Sequence, residues 1–430
     1  MKETLIQQPD IPRITLIEAI KNYDKLERYQ ICKQLIANGA DVNLADDSAK
    51  TPLYYAVKDS DVELVKLLLK NGAEVENEIE PYHTPLYVAL NRSFDLDDDT
   101  AVVVRYLIER GANLKLVIGA NLLLSLIAIR GEKHPGLFKY ALNNLREVNE
   151  VDDEGTTILM LLLNDNVDPK YVKRFINACS PDLNLQNDSG QTALHYAVRR
   201  AAAGRRAELV KILLDAGADP NRTDRNSKTA LMDATDNEQV DLKMVRAMIE
   251  AGADINLLDA KGCNLVHRAC MNKNPELLSL LLEYGPDLEL ATGDCQLPIQ
   301  MVLMQQWGKR DIPEEKCVAL IEMLVANGVD VNSQNSDDGQ TVLHMCAVNN
   351  YLTVARSLLK LGADPNIACR YNQTPLFLAI DHENIEMVKL LINNGADVNR
   401  RCSDKTPLQI ATERGLKKVV ALLLKNGAVE

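Results

Sequence analysis

Thr51-Pro52-Leu53, then Val62-Glu63-Leu64-Val65-Lys66-Leu67-Leu68-Leu69, then Lys70-Asn71-Gly72-Ala73-Glu74: these three phrases, in this order, decide how the chain folds. A Thr ahead of Pro offers a side-chain oxygen to the free N–H groups of a helix start, and Pro at the first helical position lacks an N–H that would be orphaned there. A short first helix is therefore predicted after Thr51. The apolar run sets Val62, Val65 and Leu69 at helical spacing with Leu68 beside them, leaving Glu63, Lys66 and Lys70 for water. This predicts a second helix. Gly72 suits the left-handed position that ends it, which glycine takes without steric cost. The Asp, Asn and Gly that follow favour turns, so a short hairpin loop is expected before the next unit.

The first phrase recurs as Thr84-Pro85-Leu86, Thr192-Ala193-Leu194-His195, Thr229-Ala230-Leu231, Thr341-Val342-Leu343-His344, Thr374-Pro375-Leu376 and Thr406-Pro407-Leu408. The last recurs as Gly39-Ala40-Asp41-Val42-Asn43, Gly217-Ala218-Asp219-Pro220-Asn221, Gly252-Ala253-Asp254-Ile255-Asn256 and Gly395-Ala396-Asp397-Val398-Asn399, among others. Thr51 to Thr84 and Thr341 to Thr374 are both steps of 33 residues. Weaker units lead at Ile14, Asn121, Thr157, Asn264 and Leu297. Together these phrases resemble the ankyrin repeat over nearly the whole chain. The resemblance implies an all-α repeat solenoid of ankyrin-type helix pairs with short β-hairpin loops, elongated and curved. Residues 1–13 form a lead-in and residues 14–430 about twelve repeats in one array. Units four and five, roughly residues 118–188, diverge because they lack the Gly-Ala-Asp phrase. One helix pair cannot bury its own apolar faces, so each must stack on its neighbours.

The 430 residues carry 48 basic and 61 acidic side chains, a formal charge of -13. Such a balance repels phosphate backbones, so nucleic acid is not expected as a partner. The nine cysteines form no CxxC pair, and a reduced intracellular setting, cytoplasmic or nuclear, is expected. Residues 1–13 contain no apolar core of a secretory signal. The greasiest stretch, Leu114 to Ile129, is too short to span a membrane and reads as buried helix. No membrane association and no appended domain past Glu430 are expected, and the chain reads as a monomer.

Chemistry is hard to find. Phosphate loops, dinucleotide-binding glycine motifs, zinc-protease His pairs and nucleophile elbows are all missing, so no catalysis and no cofactor are expected. Cys263, His267 and Cys270, with Cys295 a unit later, have a metal-like look. The resemblance places His267, His195 and His344 at a position that hydrogen-bonds backbone between turns, and no metal site is assigned. Cys270 and Cys346 read as small buried hydrophobes.

The pattern breaks at Asp95-Leu96-Asp97-Asp98-Asp99, at Arg199 to Arg206, and within the 44-residue step from Leu297 to Thr341, which holds Trp307, the only tryptophan. Aromatic and Arg side chains dominate binding hot spots. In the family, hairpin tips and first helices line a concave groove where partners dock. Carried over position by position, and with Arg205, Arg206 and Trp307 added from the places where the pattern breaks, this surface comprises Lys58, Asp59, Asn91, Arg92, Gln191, Arg199, Arg200, Arg205, Arg206, Trp307, Asn349, Tyr371, Gln373, Asp381, His382, Glu413 and Arg414. The expected function is that of a scaffold or adaptor binding another protein or a peptide segment. The alternative is a substrate-recruiting subunit of a ubiquitin ligase or other modifying-enzyme complex.

Overall fold

The computed structural model describes residues 14–76, 84–91, 96–114, 117–118, 121–122, 127, 134–145, 147–164, 167–199, 203–236, 240–304, 313–402 and 404–429. They fall into two compact units, residues 1–219 and 220–430. Within each, a shorter first helix and a second helix alternate along the chain.

In the N-terminal unit the second helices Lys25–Ala37, Val62–Lys70, Asp98–Glu109, Pro135–Asn144, Pro169–Cys179 and Arg206–Asp215 pack each on the next. The first helices Leu16–Asn22, Pro52–Lys58 and Pro85–Asn91 stack in the same order, as do Ile158–Asn164 and Ala193–Arg199. In the C-terminal unit the second helices are Leu242–Glu250, Pro275–Leu282, Glu314–Ala326, Leu352–Lys360, Ile385–Asn393 and Lys417–Lys425, again in sequence. Its first helices Ala230–Thr235, Leu265–Met271 and Pro298–Met301 form one run, and Val342–Asn349, Pro375–Asp381 and Pro407–Glu413 another.

The core lies between the two helix layers of each unit. Leu53, Ala56 and Val57 on a first helix and Leu64, Val65 and Leu68 on its second are all 0% exposed. Each buried Leu or Val contributes about 1.5–3 kcal/mol relative to exposure. Leu64 takes the buried place expected of Val62, which is half-buried, because the helix turns its 64–65 and 68–69 pairs inward. Helix starts follow the predicted chemistry: Thr51, Thr229, Thr374 and Thr406 each accept a backbone N–H at the third helical position. In the first unit the cap is Thr15 rather than the neighbouring Ile14, since only Thr15 has a side-chain oxygen to complete a capping box with Glu18.

One other expectation changes. Within the stretch read as buried helix, Val117–Ile118 and Asn121–Leu122 pair as short antiparallel strands. There β-branched Val117 and Ile118 follow no Thr-Pro start that would nucleate a first helix. In the acidic break of the pattern Asp95 lies outside the described residues, Leu96 is 2% exposed and Asp97 caps Asp98–Glu109, placing Asp98 and Asp99 where the helix dipole favours anions.

Successive hairpins are tied backbone to backbone. Asp188 N donates to Glu154 O at 2.9 Å, Ala260 N to Asn226 O at 3.0 Å, Gly293 N to Lys261 O at 2.8 Å and Arg370 N to Asp338 O at 2.8 Å. The approach is so close at Gly262, where φ is +75°, that a Cβ would sit 2.6 Å from Gly293 N.

Candidate protein-binding face

The loop asparagines are spent on the scaffold. Asn221 Oδ1 accepts Asp254 N at 2.7 Å while its Nδ2 donates to Gly252 O at 2.9 Å, so one side chain serves both a donor and an acceptor of the next repeat. Asn43, Asn332, Asn366 and Asn399 make the same pair of bonds. Asn149 accepts Asp182 N at 2.9 Å, carrying half of this arrangement through a divergent repeat.

A second recurring contact joins the hairpin to its own first helix at a spacing of nine residues. Tyr55 Oη donates to Asp46 Oδ2 at 2.6 Å, and Asn187 Nδ2 to Tyr196 Oη at 3.2 Å. The Tyr55 bond is the main reason the Asp46 carboxyl is held well below the usual carboxylate range, with the Lys50 and Ser48 N–H groups and Lys21 assisting. In the C-terminal unit the pair is ionic: Arg268 Nη2 meets Asp259 Oδ2 at 2.6 Å, both residues being buried. Arg268 also pairs with Asp236, which takes Lys228 Nζ at 2.8 Å. Sequence reasoning passed over this cluster, although the nine-residue spacing was there to be read.

Lys273 was likewise missed. It stands at φ +54° after a first helix, is 9% exposed, and its Nζ donates to Cys270 O, Met271 O and Met304 O at 3.4, 3.1 and 2.8 Å. Desolvation lowers its pKa, and the three carbonyls hold its charge between two repeats.

Of the candidate binding residues in the N-terminal unit, Lys58 is exposed at the end of its first helix. Asp59 beside it takes Arg28 Nη1 at 2.6 Å. Asn91 is exposed, with Nδ2 donating to Tyr87 Oη at 3.3 Å, and Gln191 is half-buried in a hairpin closed through Asn187. Arg199 is exposed at a helix end. Arg205 and Arg206 are half-buried where a 3-10 turn enters the second helix, and Arg205 helps to keep the Asp168 carboxyl ionised. Arg92, Arg200 and Trp307 lie outside the described residues.

In the C-terminal unit the structure draws several candidates together. Asp381 pairs with Arg414 of the next repeat, and Glu413 takes Lys405 Nζ at 2.6 Å. The Gln373 carbonyl lies 3.1 Å from His344 Nε2, while Thr341 N donates to His344 Nδ1 at 3.1 Å, which makes Nε2 the protonated nitrogen. Asn349 is exposed at the end of its first helix and His382 as the C-cap just past Pro375–Asp381, and Tyr371 stands 67% exposed on a hairpin.

Among the described residues no three His, Cys, Asp or Glu side chains are placed to hold a metal ion. His267 belongs to a capping box with Asn264, and Cys263 and Cys270 are buried. Burial pushes the Cys270 thiol up to about 12 and that of Cys317 up to about 11. No described helix is long and apolar enough to cross a membrane.

Comparison with known proteins places this architecture. The family model for ankyrin repeats (3 copies) matches residues 16–117, 124–224, 199–292, 314–402 and 369–429. The chain is 29% identical over 255 residues to the nuclear factor NF-kappa-B p105 subunit of Gallus gallus, covering 57% of this chain and 21% of that protein. It is 26% identical over 335 residues to the E3 ubiquitin-protein ligase KEG of Arabidopsis thaliana, covering 61% and 20%. With the putative ankyrin repeat protein YahD of Escherichia coli it shares 31% identity over 192 residues, 44% of this chain and 90% of that one. The chain thus spans about a fifth of the length of the first two relatives. A period of 33 residues, paired helices closed by left-handed glycines, asparagine bridges from loop to loop and matches along most of the length have one reading: the chain belongs to the ankyrin-repeat family.

Proposed function

We propose that this protein is a non-catalytic scaffold or adaptor, acting in the cytoplasm or nucleus, that binds a partner protein or peptide segment on the face made by its first helices and hairpin tips. Ankyrin repeats are protein-interaction modules as a family. One observation carries the reading. The bonds between repeats recur with the same residue types, whereas the position seven residues after the leading Thr, at the end of each first helix, changes from Lys58 to Asn91, Arg199, Val348, Asp381 and Glu413. A surface kept for recognition and held by a constant frame has this pattern.

Affinity purification of the full chain with mass spectrometry tests it. A partner is expected to be retained by wild type and by the rear-helix variant Lys66→Ala. It should be lost from Arg199→Ala/Arg200→Ala or from Asn349→Ala/His382→Ala, each with unchanged melting. Recovery that no first-helix variant alters would overturn the assignment of the face. A second reading, substrate recruitment for a ubiquitin ligase, is supported by the likeness to a relative that carries that activity in its name. It requires ubiquitin-conjugating components among the proteins recovered.

A further inference from the structure

The hairpin tips of the last repeats carry an exposed tyrosine and three exposed arginines on two neighbouring tips. Tyr371 stands 67% exposed, on backbone fixed from both sides. Arg370 N donates to Asp338 O of the preceding tip, Asn372 Nδ2 donates to Arg401 O of the following one at 3.2 Å, and Cys402 Sγ lies 3.8 Å from Tyr371 O. The hairpin closes on itself through Cys369 N to Gln373 O at 2.9 Å. Arg370 on the same tip and Arg400 and Arg401 on the following one are all exposed. Arg400 and Arg401 bond backbone carbonyls, at 3.0 and 3.5 Å, which leave their charges in place. Among the described residues none of the three is in an ion pair, whereas neighbouring Lys405 and Arg414 both are.

We propose that Arg370, Tyr371, Arg400 and Arg401 form a docking surface for an acidic peptide segment of a partner protein, one that carries a large apolar side chain to lie against the tyrosine. The proposal rests on the protein-binding reading above and narrows it to one place and one partner chemistry. Guanidinium groups take carboxylates through paired hydrogen bonds, and a ring held on tied backbone loses little freedom on binding. The tip before Arg370 carries Asp337 and Asp338, on a chain of net charge -13. A uniform polyanion such as nucleic acid meets repulsion there, while a peptide can place its acidic residues against the arginines alone.

A random dodecapeptide library displayed on phage, selected against the full chain, provides the test. Enriched peptides are expected to combine several Asp or Glu with one large apolar residue. A synthetic copy should lose about tenfold or more in affinity with Arg370→Ala/Arg401→Ala and with Tyr371→Ala. It should bind normally to Lys360→Ala/Lys389→Ala, which removes the same charge from second helices. These are surface changes, and unchanged melting confirms the fold. The proposal is overturned if no peptide is enriched, if those enriched are not acidic, if the rear-helix control loses as much, or if oligothymidylate binds more tightly than the peptide. Peptides that ignore these variants but depend on Asn349 and His382 would leave protein binding standing and remove it from this surface.

Discussion

Glycines of the repeats do two different jobs. Gly395, with φ +89° and nothing within 4 Å of where a Cβ would be, is needed only for its left-handed backbone. Gly262, with φ +75°, also lets the next hairpin's backbone come within hydrogen-bonding reach. Gly395→Ala is therefore expected to cost about 1 kcal/mol, and Gly262→Ala, which must also push Gly293 away, about 2–3 kcal/mol. Urea denaturation checks the order, and equal losses would mean that the close approach carries no weight. Asn350, Asn372 and Glu383 reach φ of +60°, +56° and +58° without being glycine, and asparagine is among the residues that take this conformation most readily.

At the scale of elements, caps are shared between repeats as well as held within them. The second helix Leu352–Lys360 has Tyr351 as its N-cap, which supplies no side-chain acceptor. Glu314, the first residue of the preceding second helix, does so instead: its Oε2 accepts Thr353 N at 2.8 Å and Val354 N at 3.2 Å. Glu314→Ala is expected to destabilise the C-terminal unit by about 1 kcal/mol, and Tyr351→Asp in that background to recover most of it by restoring a local acceptor. Additive effects of the two changes in urea titrations would rule out the shared cap. The sequence shows that Tyr351 is a poor cap, but Glu314 lies 39 residues from Thr353, and only the stacking of helices brings them together.

At the scale of the molecule, buried groups set the response to pH and to thiol reagents. Desolvation lowers the pKa of His267 and His344 from the ordinary 6.5. The unfolded chain then binds their protons more readily than the folded one. Their contribution to stability is whole above pH 6.5 and is lost as pH falls through the depressed folded values. Wild type should lose urea resistance between about pH 7 and pH 5 more steeply than His344→Gln, in which a glutamine serves the same capping box without titrating. With Cys270 and Cys317 raised to about 12 and about 11, and Cys346 well above its ordinary value, these thiols should react with a disulfide reagent only on unfolding. The half-buried Cys179 and Cys295 should react first, and fast labelling of Cys346 in the native protein would contradict its burial. The repeat period, the helix starts at Thr51, Thr374 and Thr406 and the glycine ends were all legible in the residues, because caps and left-handed turns depend on neighbours in the chain. The family followed from them. The tertiary structure alone decided that Arg268 reaches Asp236 of the preceding repeat, that Lys273 bridges two repeats, that Asp381 is already paired with Arg414, and that among the described residues Arg370 is in no ion pair. The pairs Arg268 with Asp236, Lys273 with Met304 and Asp381 with Arg414 join groups 32, 31 and 33 residues apart, and a repeat pattern specifies that such groups meet without specifying which charges find each other.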